Sequence, residues 1–154
     1  MPKPDRKMIK KLMTRLIELS RVADNPEWIF NVVFVNDKVM TRLNMECVGH
    51  EGSTDVITFS YIDDMSSLFP GDTAVELFIC ADVAWREGEK RSDSSYAREL
   101  TLYIAHGLLH AAGEDDLDEK SRRRMRRRER EVMAQIETEF ELDKIFPEPS
   151  AVQR

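Results

Sequence analysis

Apolar residues recur at helical spacing from Asp5 to about Val22, where Met8, Ile9, Leu12, Met13, Leu16 and Leu19 share one side. The pattern predicts an amphipathic helix closed by Asn25 and Pro26. Trp28 to Val35 is rich in β-branched and aromatic residues and ends in Asn36 and Asp37, which suits a strand followed by a helix start. A short helix through Leu43 and Met45 should follow. Gly49 and Gly52 then break the pattern before a strand at Val56 to Tyr61. A polar loop with Pro and Gly separates that strand from another at Ala74 to Cys80. Asp82 to Lys90 reads as a short helix. Asp93 or Ser94 could cap the next, which runs through Ala112 and is ended by Gly113. A last helix spans about Asp118 to Phe140, with Met125, Val132, Met133, Ile136 and Phe140 facing inward. The tail FPEPSAVQR has little to bury and should be loose.

Length and composition narrow this picture. A chain of 154 residues is enough for one core and hardly two, so a single domain over 1–145 with a flexible tail over 146–154 is expected. The opening MPKPDRKMIKK has no apolar stretch and cleavage site behind it, so neither signal peptide nor membrane span is expected, and the protein should be soluble and intracellular. Cys47 and Cys80 have no paired spacing, which argues against a disulfide framework; both should be reduced and partly buried. The formal charge of -6 argues against indiscriminate binding to nucleic acid. That average hides an asymmetry. Seven arginines lie between Arg122 and Arg130, and Glu137, Glu139, Glu141 and Asp143 follow at once. Such a run is commonly a solvated helix face, here partly offset by Glu129 and Glu131; the alternative is contact with RNA.

The chemistry concentrates in LTLYIAHGLLHAAGEDD, whose residues leave no hydrophilic face between Leu100 and Ala112, so this helix belongs in the core. Two histidines four apart on such a helix, His106 and His110, put both imidazoles on one side, where one divalent ion, zinc first, can take a nitrogen from each. Gly113 permits a left-handed turn that doubles the chain back, and Asp116 lies three residues beyond it. A carboxylate there is an acceptable third ligand and would leave a fourth position open for water or substrate. The competing reading is structural: Asp116 with Glu119 also fits a capping-box-like start of the last helix. Zinc peptidases of this histidine spacing place a glutamate general base right after the first histidine, and here that residue is Gly107. A standard peptidase mechanism therefore lacks its base.

HGLLHAAGEDD resembles the H-G-x-L-H-x-x-G-x-D-H signature of the YbeY family, bacterial single-domain metal-dependent endoribonucleases implicated in ribosomal RNA maturation. LNMECVGHEGSTDVITFSY is similar to the family's L-N and T-D-V block, AVELFIC to its central strand, and MRRREREVM to its methionine- and glutamate-bearing final helix. In order and spacing the likeness covers most of residues 1 to 140. It implies an α+β fold: a small three- to four-stranded sheet with packed helices and a central buried metal-binding helix in a metalloprotease-like arrangement. It also implies one zinc ion on His106 and His110, with the third ligand placed by position on Asp116, where the family has a histidine. The implied activity is single-strand-specific cleavage in late ribosomal RNA processing, including 16S 3′-end maturation and ribosome quality control, in the cytoplasm. The partners would be ribosomal RNA and ribosomal proteins or the small subunit, with neither DNA nor membrane involved.

Val48 stands where many family members carry an arginine thought to contact RNA, and His50 is placed to take over that function. As a loop histidine it could equally be solvated, a proton donor or an additional ligand. His106 and His50 are the candidate catalytic histidines, and Asp115 a candidate base, although a turn aspartate of purely local role is the plainer reading. Glu76 could support a ligand or face water. Two other functions stay open on sequence: a metal-dependent peptidase, and a ribosome-assembly factor whose metal is mainly structural.

Overall fold

A computed structural model describes residues 5–23, 25–62 and 68–149. Among these the chain forms α1 (Arg6–Ser20), β1 (Ile29–Val35), α2 (Asp37–Leu43), a π-helical turn (Asn44–Val48), β2 (Val56–Ser60), β3 (Thr73–Cys80), α3 (Ala81–Lys90), α4 (Tyr96–Ala111), α5 (Glu119–Glu139) and α6 (Leu142–Ile145). The fold is α+β, as the sequence implies. Part of the polar loop before β3, residues 63–67, and the end of the tail, 150–154, lie outside the described residues.

The sheet has three strands in the order β1-β3-β2, with β3 central, parallel to β1 and antiparallel to β2. Burial explains the order. β3 is the most deeply buried strand: its Ala74, Val75, Leu77, Ile79 and Cys80 are all buried, as suits a strand flanked on both sides. The edge strand β1 keeps Ile29, Val33 and Phe34 exposed, and the other edge strand, β2, is half-buried around a buried Ile57. One face of the sheet carries the small cluster Met40, Ile57 and Cys80 beneath α2. The main core lies on the other face, around α4.

Helix α4 packs against β2, β3, α1, α3, α5 and α6. Eleven of its residues are buried, which is why its sequence lacks a polar face. The contact with the sheet is closest at Gly107, where a Cβ would lie 2.7 Å from Leu77 Cδ2 and 3.0 Å from Thr58 Oγ1. Gly107 is therefore a packing requirement as well as a missing base.

Several boundaries shift from expectation. Ser95, not Asp93 or Ser94, caps α4 by accepting from the Arg98 N–H at 3.1 Å. Cys47 is exposed because it sits on the outer side of the π-helical turn, whereas Cys80 is fully buried. The folded unit also passes residue 145. Phe146 is buried and meets Phe34 edge to face at 5.8 Å, so the expected boundary fell just short of an aromatic anchor. Leu142 and Ile145 of α6, hidden in an acidic stretch, bury alongside it.

Replacing Gly107 by Ala should lower stability by about 1–3 kcal/mol through overpacking against a fully buried leucine. Denaturant unfolding of the two proteins checks this. An unchanged midpoint would mean that α4 can stand off the sheet at no cost.

Candidate metal centre

The turn after α4 builds the site. Gly113 has φ +104°, and its N–H donates to the His110 carbonyl at 3.0 Å while the Glu114 N–H donates to the Leu109 carbonyl at 3.0 Å. This pair of bonds is a Schellman closure, which requires the left-handed residue that glycine supplies. It carries out two further tasks. The Glu114 carbonyl comes within 3.1 Å of His110 Nδ1, and the chain returns so that Asp116 faces the two histidines.

His106 is anchored from the other side. Its Nδ1 makes a short hydrogen bond to the Glu129 carboxylate, contributed by α5. Both Nδ1 atoms thus face acceptors and should carry the protons, which leaves the lone pairs on Nε2. The Nε2 atoms of His106 and His110 lie 3.0 Å apart, and Asp116 Oδ2 lies 3.7 Å from His110 Nε2 and 4.0 Å from His106 Nε2. Two lone pairs at that separation repel unless a proton or a cation lies between them. Zinc bonds of about 2.0–2.1 Å in tetrahedral geometry put neighbouring donors roughly 3.3 Å apart, so two imidazoles and one carboxylate at these spacings fit a single divalent ion.

Burial disfavours the charged imidazolium of His106, but the hydrogen bond and charge of Glu129, with Asp55 and Asp116 beyond, outweigh it and raise its pKa above the usual 6.5. The same arrangement raises the basicity of a neutral ligand nitrogen. Exposure grades outward: His106 and His110 are 24% and 29% exposed and Asp116 46%, so the three donors open to solvent rather than close into the core.

The donors line a cleft of about 490 Å³ together with Asn44, Val48, His50, Thr54 and Asp55 on the approach to β2, and Thr58 within it. The buried Asn44 side chain donates to the Gly52 carbonyl at 2.9 Å, and the His50 N–H donates to the Asn44 carbonyl at 3.2 Å. The π-helical turn therefore fixes the loop that presents His50 to the cleft. Val48 lines the same cleft.

The structural reading of Asp116 as a cap is not what the chain adopts. Asp118 is the N-cap of α5 and accepts from the Ser121 N–H at 2.7 Å. Asp115 does not join the donor cluster; its carboxylate accepts from the Leu117 N–H at 3.2 Å in a local turn. Glu76 lies on β3 beside Asn31 and Phe59, away from the cleft lining. The residue that sequence reasoning missed is Glu129. Its spacing from Met125, four residues on within the buried stripe of α5, was the available signal.

An α+β domain with a helix-borne pair of histidines, a carboxylate brought back by a glycine turn, and glycine in place of a general base defines a narrow class. The family model described as Endoribonuclease YbeY matches residues 2–137, and the chain belongs to that family. An Endoribonuclease YbeY of Frankia alni is 31% identical over 127 residues, covering 78% of this chain and 70% of its own. That of Thermodesulfovibrio yellowstonii is 30% identical over 138 residues, covering 83% and 84%. The solution structure of TM1509 from Thermotoga maritima superposes with a TM-score of 0.59 over 90% of this chain and 87% of its own, at 23% identity, and shares the fold.

Asp118→Ala should lower the melting temperature by about 2–4 °C, whereas Asp116→Ala should not lower it. The bond from Ser121 holds the Asp118 carboxyl below its ordinary 3.8. Its contribution is therefore present above that pH and is lost as pH falls through the depressed value. Melting curves of both variants across pH 2–7 should show the Asp118 difference vanish at the acid end.

Proposed function

We propose that this protein is a zinc-dependent endoribonuclease of the cytoplasm that cleaves single-stranded segments of ribosomal RNA during late processing of the small-subunit RNA. The observation that carries this reading is the convergence of His106 Nε2, His110 Nε2 and the Asp116 carboxylate in an open cleft. Family membership supplies the substrate class.

His106 and His110 would hold the ion through Nε2 and Asp116 through one carboxylate oxygen, in a set of three that leaves the outer side free. When bound, a divalent ion supplies Lewis acidity toward a phosphoryl oxygen and acidifies water. The remaining chemistry belongs to the chain. Glu129 and the Glu114 carbonyl lock both imidazoles in the ligating tautomer and orientation. In this reading His50, which lines the same cleft, would donate a proton to the leaving oxygen or hold a nonbridging oxygen, and would take over the contact that Val48 does not make. Thr54 and Thr58 offer hydroxyls to the sugar-phosphate backbone from β2 and its approach.

A peptidase reading finds less support. Position 107 holds glycine where peptidases of this spacing carry a glutamate base, and a Cβ there would already press on Leu77 Cδ2 at 2.7 Å and Thr58 Oγ1 at 3.0 Å. Asp115 is occupied by its own turn.

The test is to measure metal content and cleavage of a single-stranded ribosomal fragment in parallel for His110→Ala, Asp116→Ala and Glu129→Gln. The two ligand variants should lose stoichiometric metal and cleavage together. Glu129→Gln should keep the fold and weaken metal binding about 10- to 100-fold. Stoichiometric metal retained in both ligand variants would overturn the assigned site, and intact metal with no cleavage of any RNA would overturn the activity.

A further inference from the structure

Helix α5 lays its arginines out unevenly. Arg128 is half-buried and committed, donating to the Leu19 carbonyl at 2.7 Å and to Glu131 at 2.7 Å. Arg122, Arg123, Arg124, Arg126, Arg127 and Arg130 are exposed, and among the described residues none of them is ion-paired. The acidic block that follows does not neutralise them. Glu137 pairs with Arg98 at 3.1 Å and Glu139 with Arg15 at 2.8 Å, so those charges bind α5 to α4 and α1 instead. On a chain of net charge -6, a row of guanidinium groups without a carboxylate partner is a local exception.

The row is also placed with respect to the cleft. Glu129 faces His106, and the Arg122 guanidinium donates to the Asp116 carbonyl at 3.4 Å, so one side of α5 borders the donor cluster. At roughly 100° per residue, Arg122, Arg126 and Arg130 form a stripe next to Glu129, while Arg124 and Arg127 fall on the far side of the helix. The stripe spans about 12 Å of helix, the length of roughly three or four stacked nucleotides. Asp55 and Asp116 line the cleft and Glu129 lies behind His106, more negative charge than one divalent ion offsets, so further cations are needed to draw in a polyanion.

We infer that the Arg122, Arg126 and Arg130 stripe is a phosphate-binding track that carries single-stranded RNA from the surface of α5 into the metal cleft. The inference rests on the ribonuclease reading above and adds to it the path of the strand. The contacts are to the backbone, so the track contributes affinity and register but no base preference. Its position explains how an acidic protein with Val48 at the mouth of the cleft can hold RNA: the cations lie on α5, on the metal side, rather than on the loop after the π-helical turn.

The experiment compares R126Q/R130Q with R124Q/R127Q, two double variants of equal net charge, in the full-length protein. Binding of a fluorescent single-stranded oligoribonucleotide is followed by anisotropy from 50 to 300 mM KCl, with the RNA shown intact on a gel afterwards. Each lost phosphate contact should reduce the slope of log K against log salt by about 0.7, so R126Q/R130Q should lose about 1.4 and R124Q/R127Q close to none. Equal losses in both variants would mean a diffuse field and overturn the track, as would unchanged slopes in both. Failure of the native protein to bind RNA, or equal binding of a polyglutamate chain, would instead remove the ribonuclease reading on which the track rests. Circular dichroism of both variants confirms the fold, which exposed glutamines should leave intact.

Discussion

The close approach of α4 to the sheet at Gly107 is the contact on which the site depends. With only a hydrogen where other residues carry a side chain, the helix sits directly on Leu77 and Thr58. That contact fixes the rotation of α4 about its axis. His106 and His110 then have one direction open to them, into the cleft between α4 and the start of β2. A roll of α4 about its axis would leave the 3.0 Å approach of the two Nε2 atoms intact, since both sit on that helix, but would carry His106 away from Glu129 on α5 and turn the pair out of the cleft. The same glycine thus sets both the geometry of the donors and the absence of a peptidase base.

Around that fixed helix, each donor is held by an element on a different side. The Schellman turn brings the Glu114 carbonyl to His110 and returns Asp116. Helix α5 brings Glu129 to His106, and its inward face of Met125, Val132, Met133 and Ile136 ensures that Glu129 is presented to the centre rather than to water. The buried Asn44 binds the His50 loop to the π-helical turn. The arrangement of the three side chains is therefore held by contacts spread over the core, and a change well away from the cleft can alter it.

Much of this was legible in the sequence where periodicity and side-chain chemistry agreed. The apolar run around His106 and His110 announced a buried helix with two imidazoles on one side, and Gly113 announced the turn. What stayed hidden depended on contacts between distant segments. Glu129 sits in an arginine run and read as a charge offset; its spacing from Met125 puts it beside the buried stripe of α5, but nothing local says that it faces a histidine on another helix. The capping role fell to Asp118 rather than Asp116, a choice made by where the chain re-enters the core. The α6 turn and Phe146 were masked by acidic neighbours and two prolines, although Phe34 on β1 supplies the partner that buries the aromatic ring.

The central claim is that His106, His110 and Asp116 form one metal centre ligated through Nε2. Anomalous diffraction from crystals of the protein loaded with zinc, collected on both sides of the absorption edge, tests it most directly. The account predicts one strong peak within bonding distance of both Nε2 atoms and an Asp116 oxygen, with Glu129 still on His106 Nδ1. A peak on Nδ1, on Asp115 or away from α4 would contradict it.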